Sequence, residues 1–136
     1  MHGPNPTREN TPNYLDEALA AGFDVELDVW SVNGRFVLGH DAPEFPVAPE
    51  FLTRPGLWCH AKDPATLLAL LDLGAHCFFH DTDAVTLTSR GYLWTYPGAS
   101  LTPRSVCVMP ERVGQSFDGA WGVCSDYVAL APAIPR

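Results

Sequence analysis

The chain has 136 residues, and its 16 acidic side chains outnumber the 8 lysine and arginine side chains to give a formal net charge of −8. This charge argues against a nucleic-acid or anionic-membrane binder, since both functions need clustered basic groups. The apolar share of 46% is typical of a globular protein, and the absence of a linker or repeat predicts a single domain over residues 1–136.

The chain contains no apolar run of the roughly 18 residues that a transmembrane helix needs, so no membrane span is predicted. The first residues lack the basic start and apolar stretch of a secretion signal, which predicts a cytoplasmic protein. The four cysteines form no Cys-x-x-Cys pair, and we interpret them as small buried core residues.

The first predicted elements are a helix and a hairpin. Thr11-Pro12 is typical of a helix start, and Gly22 of a helix end. From Phe23 to Trp30 the apolar period changes to two, which indicates a strand. Asn33-Gly34 predicts a tight turn, so that Arg35 to Gly39 pairs back on this strand.

The middle of the chain predicts strands that alternate with helices. A proline-rich loop from Ala42 to Pro55 precedes a strand from Leu57 to Ala61, and Asp63-Pro64 starts a helix that ends at Gly74. Ala75 to His80 follows as a strand. We predict a short helix at most for residues 83–89, and then three strands at residues 92–96, 105–109 and 121–127.

This order predicts an α/β protein with parallel strands. A usual β/α barrel needs about 250 residues, which is more than this chain has. The prediction is therefore an abbreviated TIM-like β/α barrel with few full helices. Strand flanks that the missing helices leave exposed suggest self-association as a homo-oligomer.

Two carboxylates lie on one face of the first strand. Glu26 and Asp28 are two residues apart, so their Cα atoms are separated by about 6.6 Å in an extended chain. Charges at that spacing repel each other unless water or a cation offsets them, and paired carboxylates are common ligands of hard cations. The same alternation also fits a polar edge that faces solvent.

Six short motifs of acidic, histidine and lysine residues follow one another along the chain: His2-Gly3, Glu9-Asn10-Thr11, Glu26-Leu27-Asp28, His40-Asp41, His60-Ala61-Lys62 and Ser125-Asp126-Tyr127. In order and spacing, these motifs resemble the glycerophosphodiester phosphodiesterase family of phospholipase-C-like barrels. Residues 2 to 62 match the family pattern closely, residues 63 to 120 match it thinly, and a last strand carries the family's Ser-Asp signature.

The resemblance implies metal-dependent hydrolysis of a small phosphodiester of the glycerophosphodiester type. It implies that Glu26, Asp28 and the third-site residue His60 hold one divalent cation, Mg²⁺ or Ca²⁺ in this family. It further implies that His2 and His40 act as general base and acid, and that Lys62 stabilises negative charge in the transition state.

The chain departs from the family pattern at three places. His60 stands where the family has a glutamate, and an imidazole ligand favours Mn²⁺ or Zn²⁺. Gly3 stands where the family has an arginine, for which Arg8 is a candidate replacement in binding phosphate. Because Met1 alone precedes His2, the first barrel strand is nearly absent.

Three further residues are predicted to bind substrate: Glu9 in the Glu-Asn-Thr motif, Asp126 in the Ser-Asp signature, and Trp94. Trp94 would line a pocket for the alcohol portion, although an aromatic residue in an apolar run also fits a core position. His80 is a candidate additional ligand. Two other functions stay open, a catalytically silent relative that binds a phosphorylated ligand or a protein, and lyase-like cyclisation of a phospholipid headgroup.

Overall fold

The computed structural model describes residues 1–130, and these residues form two compact units. The five-stranded unit comprises residues 5–80, and the four-stranded unit comprises residues 1–4 together with residues from 81 onward. Each unit contains one β-sheet. The single domain over residues 1–136 stays a prediction.

The five-stranded unit has a mixed sheet with strand order β3-β2-β1-β4-β5. Strands β1, β4 and β5 are parallel, whereas β2 and β3 join as antiparallel neighbours. Its elements are α1 (Pro12–Ala20), β1 (Val25–Val32), β2 (Arg35–Leu38), β3 (Phe45–Val47), α2 (Pro49–Leu52), β4 (Leu57–Ala61), α3 (Pro64–Leu73) and β5 (Cys77–Phe79).

Short sequence signals explain several boundaries of this unit. The Asp63 carboxylate accepts a hydrogen bond from Thr66 N at 2.7 Å, which caps α3, and Gly74 ends that helix in the left-handed conformation with a φ of 79°. The predicted helix at α1 is confirmed, but its cap differs from the expectation. The Thr11 hydroxyl donates to the Arg8 carbonyl instead of accepting a hydrogen bond from the helix.

The proline-rich loop is more ordered than predicted. Strand β3 and helix α2 lie within the segment from Ala42 to Pro55. Pro46 is a member of β3, an edge strand, where a residue without a backbone N–H is tolerated.

The apolar core of the five-stranded unit uses one face of β1, β4 and β5. Helices α1 and α3 pack against this sheet. The buried residues of the core are Leu15, Leu27, Val29, Leu38, Leu52, Leu57, Cys59, Ala61, Leu70, Ala75 and Cys77. Because side chains alternate along a strand, the residues between these core positions point to the opposite face.

The four-stranded unit has strand order β6-β7-β8-β9, with an antiparallel pair β6-β7 and parallel neighbours after it. Its strands are β6 (Val85–Leu87), β7 (Leu93–Thr95), β8 (Ser105–Val108) and β9 (Gly122–Cys124), and 3₁₀ turns lie at Pro110–Arg112 and Val128–Leu130. The short helix predicted for residues 83–89 is wrong, since β6 lies there.

The predicted TIM-like β/α barrel is also wrong. The described strands belong to two separate mixed sheets and not to one closed parallel barrel. Antiparallel pairing at β1-β2, β2-β3 and β6-β7 replaces the helical crossovers that a barrel requires. Within residues 81–130 the chain forms 3₁₀ turns but no α-helix, so this part lacks the helical layer of a barrel.

The structure bears on two further predictions, the absence of a membrane span and the burial of the cysteines. No helix within residues 1–130 has the length and apolar character needed to cross a lipid bilayer. All four cysteines carry free thiols, and Cys59, Cys77 and Cys107 are buried as predicted, whereas Cys124 is half-buried.

Candidate metal centre

Three metal-ligating side chains meet on the face of the five-stranded sheet opposite its apolar core. Glu26 and Asp28 come from β1, and His60 comes from the parallel neighbour β4, where it lies directly opposite Asp28. Each residue offers one ligand atom, and these atoms all lie within 4.8 Å of one another. The register of β1 and β4 therefore brings His60 to two carboxylates that lie more than 30 residues earlier in the sequence.

The distances suit ligands of a single ion. His60 Nδ1 lies 3.1 Å from Asp28 Oδ1 and 3.6 Å from Glu26 Oε1. Two ligand atoms that each lie about 2.1 Å from an ion are about 3.0 Å apart at octahedral angles and about 3.4 Å apart at tetrahedral angles. The donor set of two carboxylates and one imidazole fits Mn²⁺ or Zn²⁺.

The Asp28 carboxylate is held from two further sides. Lys62, one residue beyond the end of β4, places Nζ 3.2 Å from Asp28 Oδ1. On the other side, Asn10 Nδ2 donates to Asp28 Oδ2 at 3.1 Å, and Asp28 N donates to Asn10 Oδ1 at 2.8 Å. Asp28 is 5% exposed, so these contacts replace the hydration that burial removes.

Burial and neighbouring charges shift the pKa values of all three groups. Burial and the charge of Asp28 raise the pKa of Glu26. Burial would also raise the pKa of Asp28, but the hydrogen bond from His60 and the Lys62 charge outweigh it and lower that pKa. For His60, burial is outweighed by the two carboxylates, which raise the pKa of the imidazole to about 9. Without an ion, a protonated His60 thus balances part of the acidic charge.

Aromatic contacts fix the His60 ring. Phe78 lies opposite His60 in β5, and the two rings stack at a centroid distance of 5.0 Å and an interplanar angle of 2°. The ring of His80 lies 6.1 Å from that of His60. His80 follows β5 at its carboxyl end, the edge of a parallel sheet where ligands commonly bind.

His40 lies one residue beyond a backbone contact with the site. Gly39 N donates to the Asp28 carbonyl at 3.2 Å, and a Cβ at Gly39 would lie 1.8 Å from the Ala42 carbonyl oxygen, so this tight passage requires glycine. The His40 imidazole is exposed and its Nδ1 lies 3.0 Å from Asp41 Oδ1. Its role as a proton carrier stays a prediction.

His2 belongs to the four-stranded unit. Its neighbours are tied down there, since Gly3 N donates to Asp126 O at 2.8 Å and Ala129 N donates to Met1 O at 3.0 Å. The side chain of His2 is exposed. The role of His2 as a base stays a prediction.

The predicted substrate-binding residues lie in different surroundings. In the five-stranded unit, the Arg8 guanidinium bonds to Glu17 and lies 4.4 Å from the centre of the Tyr14 ring, and the Glu9 side chain is exposed. In the four-stranded unit, Trp94 is 5% exposed within β7, and the Asp126 carbonyl accepts the bond from Gly3. Their roles in substrate binding stay predictions.

Asn10 and Phe78 are site residues for which the sequence suggested no role. Asn10 was visible as the middle residue of the Glu-Asn-Thr motif, but nothing local showed that it contacts Asp28, 18 residues later. Phe78 belongs to an apolar run, and its contact with His60 depends on the register of β4 and β5.

Comparisons with protein-family models, with curated proteins and with solved structures find no match to this chain.

Proposed function

We propose that the chain is a metal-dependent phosphodiesterase that hydrolyses a glycerophosphodiester-type substrate, with one divalent cation held by Glu26, Asp28 and His60. The observation that supports this proposal most is the convergence of three ligand atoms within 4.8 Å from two adjacent strands. A bound divalent cation supplies Lewis acidity and neutralises charge on a phosphate group.

The charge of the loaded site would match a phosphodiester. Two carboxylates, a divalent cation, a neutral imidazole and the Lys62 ammonium leave one net positive charge. A phosphodiester carries one negative charge, so the substrate would complete the neutralisation. In a half-buried site this complementarity is stronger than in water.

The protein side chains would divide the remaining work. Lys62 lies 3.2 Å from Asp28, where its ammonium group can stabilise charge that develops on the phosphoryl oxygens. As water attacks phosphorus and forms the new P–O bond, a general base accepts its proton, and a general acid donates a proton to the alcohol oxygen whose P–O bond breaks. We assign one of these proton transfers to His40, which belongs to the same unit as the metal centre, and the role of His2 stays a prediction.

The proposal is tested by turnover of bis(4-nitrophenyl) phosphate with and without Mn²⁺. Because both charged ligands are lost, the double variant Glu26→Gln, Asp28→Asn should lose at least about 10³-fold in turnover and all Mn²⁺-dependent rise in melting temperature. Glu44→Gln with Asp72→Asn is the matched control, since it removes two exposed acidic groups from the same unit.

The control pair should retain both properties. A native protein whose melting temperature and turnover ignore Mn²⁺, Zn²⁺, Mg²⁺ and Ca²⁺ contradicts the proposal and favours a silent relative that binds a ligand. With glycerophosphocholine as substrate, phosphorus NMR separates the alternatives, since a hydrolase releases glycerol phosphate and a lyase-like enzyme releases a cyclic phosphate.

A further inference from the structure

The Asn10 side chain contacts Asp28 through both of its polar ends. Asp28 N can only donate, so the atom that faces it at 2.8 Å is the amide oxygen of Asn10. The amide NH₂ group is therefore the end that meets Asp28 Oδ2 at 3.1 Å. This pair of bonds fixes the orientation of the carboxylate plane.

The two oxygens of Asp28 consequently have different environments. Oδ2 is engaged by a neutral amide donor, whereas Oδ1 faces the cationic groups His60 and Lys62 at 3.1 and 3.2 Å. Oδ1 is thus the oxygen directed at the ligand cluster. A carboxylate held in this way offers one oxygen to a cation.

The backbone around Asn10 is built to keep the amide in place. Asn10 is 9% exposed and has a φ of 57°, a left-handed conformation that asparagine tolerates better than most residues. Arg8 N and Glu9 N both donate to the Asn5 carbonyl at 3.0 Å, and Thr11 N donates to the Arg8 carbonyl at 3.0 Å. The loop is closed on itself before α1 begins.

From this geometry we infer that Asn10 is a positioning residue that sets the ion selectivity of the site against Ca²⁺. Ca²⁺ takes six to eight oxygen ligands and commonly binds both oxygens of a carboxylate, whereas Mg²⁺ and other small divalent cations require fewer ligands at shorter distances. By engaging Oδ2, Asn10 withholds the second oxygen that Ca²⁺ would use. The inference rests on the proposed metal centre.

The test measures the dissociation constants of Mn²⁺ and Ca²⁺ by calorimetry in the native protein and in Asn10→Gly. Glycine accepts the positive φ, so the variant removes the side chain without forcing a backbone change. Mn²⁺ affinity should fall about tenfold or more, as is common when a group that orients a ligand is lost. Ca²⁺ affinity should fall less or rise, so the preference for Mn²⁺ over Ca²⁺ should drop about tenfold.

Asn33→Gly is the matched control, since Asn33 also has a positive φ, of 51°, but lies exposed in the turn between β1 and β2. It should leave both dissociation constants unchanged. If Asn10→Gly does not fold, Asn10→Ala also removes the amide without adding a charge, at the cost of placing alanine at a positive φ. This variant should shift the preference in the same direction.

An unchanged ratio of the two dissociation constants in a folded Asn10 variant, with a native protein that binds both ions, overturns this inference alone. A native protein that binds neither ion contradicts the metal centre itself, and the inference fails with it.

Discussion

In the parallel strands of the five-stranded unit, odd-numbered residues form the apolar core, and three even-numbered residues form the candidate metal centre. Leu27 and Cys59 are 0% exposed on the first face, whereas Glu26, Asp28 and His60 converge on the second. The same strands thus provide a stabilising face and a face that requires compensation for buried charge.

The two faces should therefore contribute to different properties, the apolar face to folding stability and the charged face to binding and turnover. Full burial of a large apolar side chain contributes about 1.5–3 kcal/mol to folding. Buried charges stabilise little, because the desolvation of each ion offsets much of the attraction between them. Substitutions on the odd face should therefore change the free energy of unfolding, and substitutions on the even face should change binding and turnover.

The largest effect of a single substitution is expected at Lys62, the only lysine in the chain. Lys62→Met should reduce the turnover of bis(4-nitrophenyl) phosphate by about 10²- to 10³-fold, because it removes the charge that stabilises the transition state. Mn²⁺ affinity should not fall, since a competing cation beside Asp28 is lost. Arg35→Met, at an exposed end of β2, removes a cation as the control, and equal losses in both variants would contradict the role of Lys62.

Helix α3 packs against the apolar face of the sheet and allows a matched test of the core. Leu70 is 0% exposed and Leu68 is 64% exposed. Leu70→Ala should lower the free energy of unfolding by about 2–5 kcal/mol through lost burial and a cavity. Leu68→Ala should change it by less than about 0.5 kcal/mol.

In both leucine variants the Mn²⁺ dissociation constant of the folded protein should match that of the native chain. Urea denaturation and calorimetry provide the two measurements. A selective loss of Mn²⁺ affinity in Leu70→Ala would show that the two faces are not independent.

The pH dependence of the metal affinity tests whether the His60 imidazole is protonated in the metal-free site. The pKa of His60 is raised to about 9, so below that pH an imidazole proton must leave for the ligand to bind. Mn²⁺ affinity should rise about tenfold per pH unit from pH 7 and level off near pH 9. His60→Asn has no such proton, and its affinity should be lower and show a shallower slope.

In the metal-free protein, folding stability should fall over the pH range in which the Mn²⁺ affinity rises. Because the folded state holds the His60 proton more tightly than the unfolded chain does, this contribution to stability is present below about pH 6.5 and is lost as the pH rises through about 9. Thermal melts across that range with a chelator present measure the loss. Melting temperatures that increase across it would contradict a protonated His60.

The smallest effect is expected at the start of α3. Asp63→Ala removes the cap on Thr66 N and should lower the free energy of unfolding by about 1 kcal/mol. Asp72→Ala, near the other end of the same helix and exposed, should have a smaller effect. Equal effects would show that Asp63 acts through general charge and not through capping.

Local patterns were sufficient to predict the elements with strong chemical signals. The turn at Asn33-Gly34, strand β4 and helix α3 follow from short runs of residues whose conformations are set by neighbours along the chain. Local patterns failed where a helix and a strand have similar local signals. Residues 85–87 are too few to show a period, and pairing with β7 decides that they form a strand.

The barrel prediction failed for a different reason. It was inferred from the order of strands and helices, but closure depends on which strands pair and in which direction. Antiparallel pairing of β2 and β3 extends the first sheet at its edge, and β6 begins a separate sheet. Such pairing is a property of the whole chain that element order does not determine.

The sequence by itself determined that Glu26 and Asp28 share one face of a strand, because side chains alternate along any extended chain. Tertiary structure decided what surrounds them. The register of β1 and β4 places His60 opposite Asp28, and the closed loop before α1 brings Asn10 to the same carboxylate. These contacts join residues 18 and 32 positions from Asp28, and they depend on the packing of the odd-numbered face, which holds the strands in register.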